Sequence, residues 1–568
     1  MDASSTTIRK GFVNVGNGQV HYRTAGSGPP IIVLHDSPRS SVLHIPQLAA
    51  FSDTFTVIAI DTPGYGNSTP LPPDPRPEIP DFGKALADTI RAFGVDCCPV
   101  YGFHTSSKIT LDFAANQPDC VAVAILDGLS VPPGEPDFGF IDKYMKPFLV
   151  TDDGAYLAAE WTRVRDFQRW FPWFSKTQMS RQNSAQRDIT YMHEYCMDLL
   201  MAGPHFSDAY GAAMRYKPKP VIPTITSRAI FMAKEDDILY TYLDSLPDPM
   251  PESCSIERLT PDKKKWRSRL KTIFTEYADF EDAANFAPPD PFTKDGENGE
   301  IINSYLDLDY GQMLVRRAGD GSGRPIIYLH ELPGSCRADT TLLSALSQGR
   351  PVYGFDLPGC NDSDALSKPT SKSYANAIVQ AMDMLNMQNA DIIAESTATP
   401  LALQLANEYT TKVNKLVLDA IVLPEDGLRT ELKVNYCADL RPQMDGSHLH
   451  RCWHMLRDQA IAWPWYDGGT NAIRKITPNL NGQRLHTRLV DTLKQWQHYP
   501  DAIQAAFDFD GSACLGGLSQ KTLVCTAEDD VRYLWADQTA NLLTNGQTRV
   551  RPAPVAERAR TFLDFLDG

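Results

Sequence analysis

The sequence predicts an α/β fold built twice: two tandem domains, each a mostly parallel sheet flanked by helices and carrying a helical cap insertion. The first observation behind this is repetition in register. IIVLHDSP at 31–38 returns as IIYLHELP at 326–333, and IDTPGYGNS at 60–68 returns as FDLPGCNDS at 355–363. His35 and His330, like Asp61 and Asp356, stand 295 positions apart, whereas His104 and Ser396, like Asp127 and Asp419, stand 292 apart. A period this long is a duplicated domain rather than a solenoid repeat. The second observation is that the strand-like segments are short, uniformly apolar runs separated by helical stretches, as in a parallel sheet covered on both faces. A length of 568 residues also favours more than one domain.

In chain order, Val13–Arg23 alternates and is broken by Gly16-Asn17-Gly18, the pattern of a β-hairpin, and Tyr305–Arg316 repeats it. Strands are expected at Ile31–Leu34, Val57–Ile60, Pro99–Tyr101 and Val123–Leu126, with helical Phe82–Phe93 and Lys108–Asn116 between them. The second half gives the same order at Ile326–Leu329, Val352–Phe355, Asp391–Ala394 and Leu416–Leu418. After each fourth strand an aromatic-rich insertion begins, in which FPWF (Phe171–Phe174) and WPWY (Trp463–Tyr466) are copies. Strand character resumes at Arg228–Met232 and Thr522–Cys525, each followed by an acidic cluster, and a helix at Ala553–Leu566 closes the chain. Residues 283–300, rich in Pro, Gly, Asp and Asn, are the expected linker. The expected domains are therefore 1–282, with a cap at about 132–220, and 301–568, with a cap at about 424–515.

A net charge of −16 argues against nucleic acid or an anionic membrane surface as partner. No apolar run approaches the ~20 residues of a membrane span. MDASSTTIRK lacks the charged-then-apolar layout of a signal peptide. Eleven cysteines without a CxxC pair fit a reducing compartment, so a cytoplasmic location is expected. No phosphate loop or dinucleotide fingerprint is present, and no cofactor is expected. His450 and His454 share a helix face, but no third ligand accompanies them and no metal is expected.

A strand ending at His in HDSP, a strand ending at Asp in DTPGYGNS, a sharp strand-to-helix turn, LDG, an inserted cap and an acidic loop together resemble the α/β-hydrolase fold, once per half. The resemblance implies a nucleophile on a G-x-S-x-G elbow, then an acid, then a histidine after the last strand. Half two puts Ser396 on that elbow in IIAESTATP; half one puts His104 there in YGFHTSS. The acid falls on Asp530 in AEDDVRY and on Asp236 or Asp237 in AKEDDILY. Leu332 with Thr397, and Ser37 with Thr105, occupy the oxyanion-donor positions, and His330 and His35 are expected to support those loops. Glu331 stands where the family has glycine, and a carboxylate there opposes an oxyanion yet can act as a base.

The departure lies in the base. No histidine follows His498, and none lies between His205 and the second half. Without a base a serine hydroxyl is a poor nucleophile. The cap histidines His448, His450 and His454, or His193 and His205, are the remaining sources. The expected function is a hydrolase acting on a small, largely apolar or aromatic carbonyl compound such as an ester or lactone, through Ser396 and Asp530 in a degenerate triad. The alternatives are lyase- or cyclase-type proton transfer using His104 or Glu331, and a ligand-binding pseudoenzyme.

Overall fold

The computed structural model describes residues 7–182, 185, 187–280, 286, 288–293 and 300–568. Much of the expected linker at 283–300 lies outside the described residues. The first sheet contains β1 (Arg9–Val15), β2 (Gly18–Ala25), β3 (Pro30–Leu34), β4 (Thr56–Ile60), β5 (Cys98–Phe103), β6 (Val121–Asp127), β7 (Ala229–Lys234) and β8 (Cys254–Leu259). The second contains β9 (Ile301–Leu308), β10 (Gly311–Ala318), β11 (Ile326–Leu329), β12 (Val352–Phe355), β13 (Ala390–Glu395), β14 (Val413–Asp419), β15 (Lys521–Thr526) and β16 (Gly546–Val550).

Their orders, β1-β2-β4-β3-β5-β6-β7-β8 and β16-β15-β14-β13-β11-β12-β10-β9, are the same topology written from opposite edges. In each, the hairpin and its next neighbour pair antiparallel and the remaining strands pair parallel. The central runs are buried along their full length because helices cover both faces: β3 and β4 read as five buried residues each. One face of the first sheet packs Val33, Val57 and Tyr101 against Trp266, Leu270 and Phe274 of the helix Lys263–Tyr277. The second sheet packs Tyr328, Val352 and Val417 against Phe562 and Phe565 of Val555–Asp567.

The chain divides into two compact units, Met1–Leu149 with Arg163–Thr293, and Val150–Thr162 with Lys294–Gly568. Within the second unit, Trp161 Nε1 donates to Met444 O at 3.1 Å, and the Gly482 amide donates to Asp152 at 2.7 Å. Trp161 lies over Gly446 and Trp453 over Gly154, both glycines at positive φ, and a Cβ at either would come within 2.6 Å of the indole. Glycine is required there by both backbone conformation and close approach. The aromatic tetrads are cap packing in large part: Trp173 Nε1 donates to Tyr144 O and Trp465 Nε1 to Tyr436 O, at 3.0 and 2.8 Å. Among the described residues no helix is long and apolar enough to cross a membrane.

Candidate active site

Both elbow residues sit at the sharp bend between a central strand and its helix. His104 follows β5 with φ +48° and precedes the helix Thr105–Asn116; Ser396 follows β13 with φ +52°. Positive φ in a residue with a Cβ costs of order 1 kcal/mol and is held only where surrounding structure over-determines it. Gly102, just before the bend, is needed because a Cβ there would meet Ser106 O and Thr110 Oγ1 at 2.4 Å.

In the first half the His104 ring turns toward the acidic loop. Its Nε2 lies 2.9 Å from Asp237 Oδ2, so Asp237, and not Asp236, is the partner carboxylate. The Leu239 amide donates to Asp237 Oδ1 at 2.8 Å and fixes that carboxylate. Burial opposes a charged imidazole, but the Asp237 carboxylate outweighs it and the His104 pKa ends above its ordinary value. Burial also opposes ionisation of Asp237, and His104 reverses that, holding its pKa low. Room for the ring comes from Gly128, where a Cβ would lie 2.5 Å from His104 Cδ2.

These groups line a cavity of about 970 Å³ that also takes in Ser37, Thr105, Asp36 and a wall of aromatic side chains including Tyr144, Phe171 and Tyr195. Asp36 is the copy of Glu331, 295 positions earlier. Its Oδ1 is buried without a hydrogen-bond partner among the described residues, and burial raises its pKa against the opposing charges of His104 and Arg39. Burial favours the neutral Asp36 carboxyl, whereas positive charge on His104 or Arg39 favours the carboxylate.

The second half keeps the backbone and fills the site. Arg532 is 2% exposed and bridges the expected catalytic pair: its guanidinium donates to Ser396 Oγ at 2.8 Å and to Asp530 Oδ1 at 2.9 Å. Arg474 also donates to Asp530 at 2.8 Å. Ser396 and Asp530 therefore meet only through a cation, and no histidine is recorded within hydrogen-bond reach of Ser396 Oγ among the described residues. Arginine is protonated at any working pH and cannot accept the serine proton. Burial opposes the charge on Asp530, yet Arg532 and Arg474 hold its pKa far below the carboxylate range.

Glu331 pairs with Arg488 at 3.2 Å; burial opposes its charge, but Arg488 leads the cations that hold it ionised. At the offsets of 292 and 293, Arg474, Arg488 and Arg532 replace Gln182, Tyr195 and Leu239. All three replaced side chains line the first-half cavity. Ala420, at φ +58°, takes the place of Gly128, so its Cβ stands where a ring at position 396 would need room.

The oxyanion expectation needs correction in the second half. The Leu332 amide donates to Thr397 Oγ1 at 2.9 Å and is no longer available to a ligand. His35 and His330 are committed to their loops. Their Nδ1 atoms pair with the Asp36 and Glu331 carbonyls, and their Nε2 atoms accept from the Thr62 and Leu357 amides. Among the cap histidines, His448 Nδ1 accepts from the Gln443 amide, His205 pairs with Asp208, and His454 is exposed. His330, Cys336 and Asp356 bring ligand-type atoms within 4.8 Å of one another. Both ring nitrogens of His330 are engaged, however, and Asp356 is paired with Arg316. That triad is a buried strut.

Missed from sequence were Asp36, which the Glu331 alignment would have supplied, and Arg532, whose only signal is the change from ILY to VRY after the acid.

The profile described as alpha/beta hydrolase fold matches residues 324–441. The chain is 30% identical over 114 residues to (E)-2-((N-methylformamido)methylene)succinate hydrolase of Acinetobacter baylyi, covering 20% of this chain and 43% of that protein. It is 31% identical over 121 residues to a soluble epoxide hydrolase of Corynebacterium, covering 21% and 40%. The matches thus span less than half the length of these relatives, which are hydrolases. Epoxide hydrolase A of Mycobacterium thermoresistibile aligns in structure over 48% of this chain and all of that one, with 17% identity and a TM-score of 0.39. The profile match and the duplicated sheet order together make this chain a tandem-duplicated α/β-hydrolase-fold protein, with one such domain in each half.

Proposed function

We propose that the chain is an enzyme whose reaction centre lies in the first half and that it moves protons at a small, largely apolar carbonyl compound. His104 is the general base, Asp237 its orienting carboxylate and Asp36 the general acid. The observation that carries this reading is His104 on the elbow with Nε2 bonded to Asp237 at 2.9 Å. In that tautomer Nε2–H donates to the carboxylate and Nδ1 keeps its lone pair for substrate. The reading replaces the expected Ser396–Asp530 site, where Arg532 offers no proton acceptor.

The step balances without a cofactor. Nδ1 takes the proton from the carbon next to the carbonyl while Asp36 gives its proton to the carbonyl oxygen, and the C–H electron pair becomes the C=C bond of an enol. The enol O–H then returns its proton to Asp36. The imidazolium gives up its proton to another carbon, completing isomerisation, or to a departing β-hydroxyl, completing loss of water. A neutral acid at the position of an oxyanion donor suits protonation of oxygen better than stabilisation of a tetrahedral oxyanion. A second reading, in which His104 activates water for ester or lactone hydrolysis, is favoured by the hydrolase activities in the names of the relatives.

The test is base-catalysed exchange of 2-tetralone in deuterium oxide, followed by NMR against pH, with ¹⁸O incorporation into an aryl ester as the hydrolytic alternative. Activity is expected to rise with pH as His104, its pKa raised, loses its proton. Asp237→Asn removes the charge that raises the His104 pKa, so the rising limb moves to lower pH and turnover drops about 10–100-fold. A rising limb that stays in place in this variant removes His104–Asp237 from the mechanism.

A further inference from the structure

We infer that Lys108 anchors an anionic oxygen of the ligand, a carboxylate or phenolate on an aromatic ring, inside the first-half cavity. The inference deepens the reading above by naming a substrate class, and it rests on that cavity being the substrate site. Lys108 lies one helical turn after His104 on Thr105–Asn116, and it lines the same cavity. It is 4% exposed, and its ammonium donates to the Ala213 carbonyl at 2.7 Å.

An ammonium has three donors, and among the described residues Nζ has no carboxylate within ion-pair distance. A buried cation left without a counter-charge is costly, and proteins keep such groups where a ligand completes them. Burial pulls the Lys108 pKa down to about 8, so the side chain is still mostly charged at neutral pH. Lysine is also absent from the copy whose site is filled, where the aligned residue is Pro400. The anchor and the open cavity thus occur together. Phe103, Phe140, Tyr144, Phe167, Phe171 and Tyr195 supply flat apolar surface around it, which selects a ring to carry the acidic group.

Equilibrium binding of 1-naphthoate and of its neutral isostere 1-naphthamide to the full chain, read by calorimetry, tests this. The parent protein is expected to prefer the anion by about 10–100-fold, the range of a charge-assisted hydrogen bond in a desolvated site. Lys108→Met should abolish that preference by weakening naphthoate alone, with naphthamide affinity held within about twofold. His104→Ala should keep the preference, so loss of the His104 mechanism and loss of the Lys108 anchor read out separately. A preference that survives in Lys108→Met overturns the inference, as do equal affinities for the two probes or no saturable binding of either by the parent. Unfolding of Lys108→Met is checked by its melting curve, and Lys108→Arg, which retains charge, should keep at least part of the preference.

Discussion

His104→Ala is expected to lower kcat/KM for the first-half reaction by about 10²–10⁴-fold, whereas Ser396→Ala should stay within about twofold of the parent. The asymmetry follows from what each elbow residue touches. The His104 ring holds a proton acceptor between a fixed carboxylate and a cavity of about 970 Å³. The Ser396 hydroxyl is 2% exposed and accepts from Arg532, a group that stabilises it in place and withholds a base. The loss in His104→Ala is read from turnover with the melting temperature measured alongside. Alanine retains the positive φ strain, so the fold is not relieved by the change and any rate loss belongs to the ring. His104→Gln sharpens the result: its amide can still donate to Asp237 but offers no basic nitrogen, so it should be as inactive as alanine. A fluorophosphonate probe gives the complementary outcome, no labelling at Ser396, since its recorded side-chain partner is Arg532, which cannot accept the serine proton. Turnover that survives in His104→Ala and vanishes in Ser396→Ala would reverse the assignment.

The architecture could be read from the chain because duplication supplies an internal alignment. Apolar strands at equal offsets mark corresponding central strands, and the ungapped offset of 292 carries His104 onto Ser396 across the whole elbow. Both fall at positive φ on that bend. What could not be read was which copy keeps an open site. A serine in an elbow string resembles a nucleophile, and the sequence reading favoured it. The deciding residues are Arg532, 136 positions from Ser396, and Thr397, 65 positions from the Leu332 amide that donates to it. Sequence pattern reports periodicity and local turns; it does not report which long side chain will reach across a fold to occupy a cavity. The clue was present only as a coordinated set of differences. Gln182, Tyr195 and Leu239 became arginines, and Gly128 became Ala420, so space and polarity changed together. Asp36 escaped notice for the opposite reason: its partner Glu331 was noticed as unusual, but two carboxylates at one aligned position differ in effect only once burial and neighbours are known. Glu331 is held ionised by Arg488, and Asp36 is pushed toward the neutral acid.

Arg532→Met should destabilise the second unit by about 3 kcal/mol without lowering first-half turnover, measured by urea unfolding and by activity on the same sample. The guanidinium is 2% exposed and gathers Asp530, Ser396 Oγ and Ala420 O around it. Removing it leaves a buried carboxylate with Arg474 as its remaining cation, a buried serine hydroxyl without its donor, and a void where the planar group lay. The dominant cost is the exposed charge imbalance rather than lost attraction, because buried ion pairs gain little net stability until one partner is taken away. Two further measurements separate these effects. Arg532→Met/Asp530→Asn removes the stranded charge and leaves Arg474 an amide oxygen to bond, so it should recover about half of the loss, a non-additivity that independent sites do not show. The second is pH. The folded-state pKa of Asp530 is depressed, so its contribution to the parent is fully present above the unfolded value of about 3.9 and is lost as pH falls below that toward the folded value. In Arg532→Met the depression is smaller, and the acid-side fall in stability between about pH 4 and pH 2 should be shallower than in the parent. Equal acid slopes, or a double variant no more stable than the single, would mean that Arg532 acts as filler and that its charge is not what closes the second site.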